Sequence, residues 1–281
     1  MTEKFYPVVL GLLLAVLVIL GSRVEVKTDT ADLEKSVLPP GGVILPITWG
    51  DLGIKMVERG VLDPEKLQAV YGPSGDLSGE NNRLLTEKVD GNIKITAANA
   101  NFLLTLLWGF GLSNKNEILE RGPMTDPQYG GAQVFASTGG WTLSKGNAME
   151  HYAKYQFVPL NAQEQALVER VSKNIYRPCC DNPTYFPDCN HGMAMLGLLE
   201  LMAAQGVSET EMYQVALQVN SFWFPGTYLT IAKYLATKGL EWIDVDPKVV
   251  LGVPYSSASG YQEVLKQLLP VERDKSSSCS L

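Results

Sequence analysis

The sequence predicts a mainly α-helical protein, in which an N-terminal transmembrane helix precedes a multi-helix globular domain with little or no sheet. An uncharged apolar run stands at the N-terminus, apolar residues elsewhere recur at helical spacing, and capping residues precede most of these segments. The 281 residues are 46% hydrophobic and 19% charged, which is enough apolar material for a sizeable core.

The apolar run covers residues 5–21 and contains no charged side chain. As a helix it would just cross the hydrocarbon core, at about 1.5 Å per residue against about 30 Å. We therefore expect residues 1–22 to be a transmembrane anchor or an uncleaved signal that contacts the lipid bilayer through residues 5–21. A cleaved signal peptide is the competing reading, because Gly21 and Ser22 are small.

The orientation of this anchor rests on two opposing arguments. Lys4 precedes the run, whereas Arg23, Lys27 and Lys35 follow it, and by the positive-inside rule this places the bulk of the chain in the cytoplasm. A single N-terminal apolar segment before a large polar remainder is instead typical of exported proteins. We expect a single-pass protein of the cell membrane with its globular part outside the cytoplasm.

Composition and local signals divide the rest of the chain. Residues 23–42 are polar and end in Pro39-Pro40-Gly41-Gly42, which predicts an extended linker. The helical domain is expected over 43–270, followed by a flexible tail over 271–281. The formal net charge of −7 and the lack of a basic stripe argue against a nucleic-acid partner. The sequence does not indicate a protein partner.

Capping residues and apolar spacing predict the helices of this domain in order, with 92–96 as the only strand candidate. The segments 97–111 and 192–205 are apolar on all sides, which indicates central core helices. The predicted helices are 48–59, 63–71, one that Ser78 opens, 97–111, 113–121, 147–155, 162–176, 192–205, one after Ser208, 227–238, a short one at 247 and 259–269.

The loop 177–193 concentrates the reactive side chains, with three of the four cysteines and one of the two histidines of the chain. Its prolines at 178, 183 and 187 restrict the backbone and favour a fixed shape. Asn190 is the expected N-cap of the following helix, whose positive end would then stabilise a thiolate at Cys189. Asp188 is expected either to orient His191 or to accept loop N–H groups.

These residues predict a metal site. Cys179, Cys180, Cys189 and His191 offer three thiolates and an imidazole, a set that suits tetrahedral zinc. Thioethers from Met193 and Met195 would favour Cu(I). The adjacent cysteines match no usual zinc spacing, because their side chains diverge unless the backbone turns sharply. The favoured function is a membrane-anchored binder of copper or zinc, with no catalytic role assigned.

Two alternatives use the same cysteines. Cys189 with Cys179 or Cys180 as a resolving partner, and Cys279 on the tail as a mobile thiol, would make a thiol-disulfide oxidoreductase or relay. A disulfide from Cys189 to either neighbour would instead make a structural or interaction module. Whether the protein is an enzyme is left open at this point.

Overall fold

The computed structural model of the chain describes residues 30–75 and 77–268. The predicted anchor over 1–22, including the apolar run 5–21, lies outside the described residues, as do the tail 271–281 and Cys279. Within the described part of the chain, none of the helices combines the length and the apolar character needed to cross a bilayer.

The first described element is a helix, α1 (Thr30–Val37). It lies where the sequence predicts part of an extended linker over 23–42, so the structure corrects that prediction for these residues. Leu33 and Val37 are four positions apart, share one face and are buried. This face packs beside α11 (Pro225–Thr237), which ties α1 into the folded part of the chain.

The described residues contain one two-stranded sheet, in which β1 (Val43–Gly50) runs antiparallel to β2 (Val89–Ile95). The strand predicted at 92–96 is therefore found, but the helix predicted from Thr48 is wrong at its start. Burial in β1 alternates with period two, and Leu45, Ile47 and Trp49 face the core.

The other helices confirm the predicted mainly α class, and several of the shorter ones begin with proline at the first turn. In chain order they are α2 (Leu52–Glu58), α3 (Pro64–Tyr71), α4 (Gly79–Thr86), α5 (Ala100–Ser113), α6 (Glu117–Arg121), α7 (Ala136–Gly139), α8 (Ala162–Ser172), α9 (Asn190–Ala204), α10 (Glu209–Trp223), α12 (Pro247–Val250), α13 (Val253–Ser256) and α14 (Ala258–Leu268).

The pairing of α5 with α9 forms the centre of the core, as their all-round apolar sequences predict. Glycines allow the two backbones to approach closely. A Cβ added at Gly111 would lie 2.2 Å from the carbonyl oxygen of Met193, and one at Gly197 would lie 2.7 Å from that of Leu107. The position of α9, and therefore of its N-terminus, is fixed by this contact.

A carboxyl group is buried in the C-terminal half of α9. Glu200 accepts hydrogen bonds from the side-chain amides of Asn114 and Asn116, each at 2.7 Å. Burial raises the pKa of Glu200 to about 8, although these two amide donors act in the opposite direction. The core therefore contains a carboxyl group whose protonation is linked to folding.

The helix before the cysteine loop is shorter than the sequence predicts. Asn161 caps α8 as expected, because its side chain accepts from the backbone N–H of Gln163 and Glu164, and Glu164 returns a bond to the Asn161 N–H. However, α8 ends at Ser172, and the predicted helix over 162–176 is wrong in its last turn. The chain from Lys173 onward thus belongs to the loop.

Candidate metal centre

The loop between α8 and α9 is held in place along its length by backbone hydrogen bonds. Thr184 N–H donates to the Ile175 carbonyl at 2.8 Å within the loop. The Cys180 carbonyl accepts from Ala258 N–H at 3.0 Å at the start of α14. The Asp188 carbonyl accepts from Ser137 N–H at 3.0 Å in α7. These bonds give the loop the fixed shape that its prolines predict.

This shape brings three sulfur atoms together. The Sγ atoms of Cys179 and Cys189 are 3.5 Å apart, and those of Cys180 and Cys189 are 3.9 Å apart. All three sulfurs lie within 4.8 Å of one another, an arrangement that could hold a metal ion. The convergence expected from the clustering of these cysteines is therefore present in the fold.

A tight turn explains how two adjacent cysteines face the same partner. Cys180 N–H donates to the Arg177 carbonyl at 3.3 Å, so residues 177–180 close a turn. Pro178 occupies its second position, where the fixed φ of proline is favourable. The turn reverses the backbone and directs both sulfurs towards Cys189, which removes the spacing objection raised by the sequence.

Arg177 stands at the start of the loop 177–193, but its side chain is buried inside the folded loop and only 1% exposed. Its Nε–H donates to the Cys189 sulfur at 3.0 Å. Its other nitrogens donate to the carbonyls of Asn182 at 2.8 Å and Phe186 at 3.0 Å, and form an ion pair with Asp188. Because a buried charge is costly unless it is paired and hydrogen-bonded, this set of partners explains how the guanidinium is retained.

Sequence reasoning missed Arg177, and it assigned a different role to Asp188. The Asp188 carboxylate was expected to orient His191 or to accept loop N–H groups, but it binds the Arg177 guanidinium and the side-chain amide of Asn182, the latter at 2.8 Å. The sequence carried only one weak signal for Arg177, its position directly before the Pro-Cys-Cys turn.

A glycine provides the space that the guanidinium occupies. A Cβ at Gly192, in the first turn of α9, would lie 2.5 Å from Cζ of Arg177 and 2.8 Å from its Nε. No real side chain fits at such distances. The residue at this position is therefore determined by the buried arginine beside it.

The N-cap of α9 is Cys189 rather than the predicted Asn190. The Cys189 sulfur accepts from the backbone N–H of Gly192 at 3.4 Å. The Cys189 sulfur thus takes the place of the side-chain oxygen that usually caps a helix, and the positive end of the α9 dipole lies beside it.

The electrostatics of the three thiols are unequal. Hydrogen bonds from Cys179 and Cys180, together with the charge of Arg177, hold the pKa of Cys189 well below its usual range, although burial opposes this. Contact with the Cys180 and Cys189 sulfurs raises the pKa of Cys179. Contact with Cys179 lowers the pKa of Cys180, but Cys189 and burial raise it to about 11. Of the three thiols, Cys189 is therefore the one that ionises most readily.

His191 lies at the edge of this cluster. Its Nδ1 atom is 3.9 Å from the Cys179 sulfur. The imidazole ring packs against Phe224 with a centroid separation of 4.3 Å and an angle of 35° between the ring planes, and Trp223 contacts it edge-on at 5.9 Å. The junction of α10 and α11 therefore restricts the orientation of the ring beside the sulfurs.

The remaining predicted residues are placed as follows. Met193 and Met195 are fully buried in the hydrophobic core that α9 shares with its neighbours, and their role as thioether ligands stays a prediction. No two of the described cysteines form a disulfide, because their closest sulfurs are 3.5 Å apart and an S–S bond is about 2.05 Å long.

No protein family, curated protein or solved structure matches this chain. Clustered thiols, one of which has a lowered pKa and all of which lie in a loop fixed by hydrogen bonds, can bind a soft metal ion or undergo two-electron oxidation.

Proposed function

We propose that the chain binds a thiophilic transition metal ion, Zn(II) or Cu(I), through the sulfurs of Cys179, Cys180 and Cys189. The observation that carries the proposal is the convergence of these three atoms within 4.8 Å. Zn–S bonds of about 2.3 Å at a tetrahedral angle place two ligand sulfurs roughly 3.8 Å apart. The separations of 3.5 and 3.9 Å from Cys189 lie on either side of this value.

His191 is the candidate fourth ligand for zinc. With metal–nitrogen and metal–sulfur bonds of about 2.0 and 2.3 Å, a tetrahedral site separates nitrogen from sulfur by roughly 3.5 Å. The 3.9 Å between His191 Nδ1 and the Cys179 sulfur requires only a small movement to reach it. A three-coordinate Cu(I) site would need the sulfurs alone.

Arg177 supports the proposal through the sulfur of Cys189. Second-sphere hydrogen bonds orient metal ligands and tune the charge that they carry. The Arg177 Nε–H and the Gly192 N–H both donate to this one sulfur. These two hydrogen bonds hold the Cys189 side chain in a fixed orientation in the metal-free site.

Direct metal analysis of the full chain tests the function. Protein purified without added metal, and then titrated with Zn(II) or Cu(I) against a chelator, is expected to bind about one ion per chain. Cys189→Ser is expected to abolish binding. Cys279→Ser is the matched control, because it removes the one cysteine outside the cluster and should leave the stoichiometry unchanged. Absence of binding by the wild-type chain, or loss of it in the control alone, refutes the proposal.

We also propose that residues 5–21 anchor the chain in the cell membrane as a single span, with the metal site outside the cytoplasm. The uncharged apolar run in the sequence is the support for this proposal. Extraction with alkaline carbonate and protease accessibility of intact cells test it. Release of the chain by carbonate refutes the anchor, and protection of the globular part from added protease refutes the orientation.

A further inference from the structure

We propose that the same site is a hydroperoxide-sensitive dithiol, in which peroxide oxidises Cys189 and Cys179 then closes a disulfide that dismantles the metal site. The effect on the metal rests on the proposed function, whereas the oxidation itself does not. Three features of the loop support the inference: the short distance between the Cys179 and Cys189 sulfurs, the positive surroundings of the Cys189 sulfur, and the exposure of Cys179.

The geometry favours Cys179 over Cys180 as the partner. The Cys179 sulfur is nearer to that of Cys189, at 3.5 Å against 3.9 Å. Cys180 also has other partners, since its backbone carbonyl accepts from the Ala258 N–H and its sulfur lies 3.9 Å from the Asp188 carboxylate. The Cys179 sulfur must move by roughly 1.5 Å to reach disulfide distance, and its exposed side chain is the freer of the two to do so.

The surroundings of the Cys189 sulfur suit attack on a peroxide. The Arg177 guanidinium at 3.0 Å supplies a fixed positive charge, and the Gly192 N–H at 3.4 Å adds the helix N-terminus. A cationic neighbour stabilises the ionised sulfur, which is the nucleophilic form. Cys189 is only partly exposed, so a small hydroperoxide reaches it more readily than a protein disulfide does.

The chemistry balances without a further reactant. The Cys189 thiolate attacks the distal oxygen of ROOH, the O–O bond breaks, and the departing alkoxide takes a proton from solvent to give ROH. The product at Cys189 is a sulfenic acid. The Cys179 sulfur attacks the sulfenic sulfur, the S–O bond breaks, and the hydroxyl leaves as water with the Cys179 proton. Two electrons pass from the two sulfurs to the peroxide.

The disulfide is incompatible with the metal site. It removes two of the three thiolate ligands and leaves only Cys180 and His191, which is too few for a closed zinc site. Exchange with a dithiol reductant, which is itself oxidised to a disulfide, returns two electrons and two protons to Cys179 and Cys189 and restores the ligands. Metal binding would thus depend on the redox state of the Cys179–Cys189 pair.

Hydrogen peroxide added to the metal-free full chain tests the oxidation, with alkylation of free thiols and peptide mass mapping as the readout. The four thiols of the wild type are expected to fall to two, with a Cys179–Cys189 crosslink. Cys180→Ser should form the same crosslink. Cys179→Ser should form none and should leave a dimedone-reactive sulfenic acid at Cys189. A crosslink through Cys180 in the wild type, or the absence of any crosslink, overturns the inference.

A second arm separates this inference from the proposed function. Zinc-loaded wild type is treated with peroxide in the presence of a zinc indicator dye, and one zinc is expected to be released per disulfide and rebound after reduction. If the chain never binds metal, the proposed function fails while the crosslink is still judged by mapping. If metal binds but no disulfide forms, only the redox inference fails.

Discussion

Gly192→Ala is the sharpest test of the loop architecture, because it adds one methyl group against the buried guanidinium. The new Cβ would lie 2.5 Å from Cζ and 2.6 Å from Nη2 of Arg177. The guanidinium cannot move without breaking its own contacts, since it donates hydrogen bonds to the carbonyls of Asn182 and Phe186 and forms an ion pair with Asp188. Either this set of bonds or the first turn of α9 must therefore shift.

The expected magnitude follows from three terms. Overpacking of a well-packed site costs about 1–3 kcal/mol. Weakened hydrogen bonds to a buried charge cost about 1–3 kcal/mol more. The better helix propensity of alanine returns at most about 1 kcal/mol. We expect a net loss of about 1–5 kcal/mol in the free energy of unfolding. We also expect a fall of about 10–100-fold in metal affinity, because Arg177 would move away from Cys189.

Urea unfolding followed by tryptophan fluorescence measures the first effect, and chelator competition measures the second. Gly226→Ala is the matched control, since Gly226 lies in the first turn of α11 and a Cβ there meets no heavy atom within 4 Å. We expect this control to be neutral or stabilising by up to about 1 kcal/mol. If the two variants agree within about 0.5 kcal/mol, the steric argument about Gly192 is refuted.

Three further predictions concern charge. Arg177→Met should lower metal affinity by about 10–100-fold, because the Cys189 sulfur loses its Nε–H donor; an unchanged dissociation constant in chelator competition would contradict this. Zinc binding at neutral pH should release two protons, from Cys179 and Cys180, because the lowered pKa of Cys189 predicts that this thiol is ionised beforehand. Calorimetry in buffers of different ionisation enthalpy counts the protons, and a count of three would contradict the prediction. The raised pKa of Glu200, about 8 when folded against an ordinary 4.5, means that the folded chain holds a proton that the unfolded chain releases. The resulting stability is complete below pH 4.5 and is lost as the pH rises to 8, at up to about 1.4 kcal/mol per pH unit. Glu200→Gln should reduce this dependence of the unfolding free energy on pH, measured by urea unfolding between pH 5 and 8. An equal slope in the wild type and the variant would contradict the assignment to Glu200.

Local signals predicted the helices well where a cap and an apolar face lie within one segment. Asn161 with Glu164 marked the start of α8, and Ser208 marked the start of α10, because a capping interaction involves residues only three positions apart. The end of α8 was less predictable. The last predicted turn of α8 belongs instead to the loop, because the loop forms hydrogen bonds with α7 and α14. These elements are distant in sequence, so a local pattern does not predict the bonds.

The elements that the sequence missed depend on distant partners. In β1 the alternation of Leu45, Ile47 and Trp49 was present, but it overlapped a helical reading that begins at Thr48. The strand is stabilised by pairing with β2, about forty residues away. Likewise α1 carries few apolar residues and is defined by the burial of one narrow face against α11. Tertiary contact, rather than intrinsic propensity, determines both elements.

At the site, the clustering of cysteines was enough to predict that their sulfurs meet, but not how they meet. The Arg177–Cys180 turn depends on one backbone hydrogen bond, which a proline only favours. The burial of Arg177 depends on carbonyls and a carboxylate that converge only when the loop is folded. A charged residue is normally expected at the surface, so sequence patterns give no reason to expect it inside.

The buried arginine also bears on which ion suits the site. Without metal, the Cys189 thiolate, the Asp188 carboxylate and the Arg177 guanidinium together carry one net negative charge. With three thiolates and Zn(II), the same groups again carry one negative charge, because the two added thiolates balance the divalent ion. With Cu(I) they carry two. Since uncompensated charge is costly in a partly buried site, a divalent ion would bind with no change in the net charge of the loop, and we expect the proposed site to prefer zinc to copper.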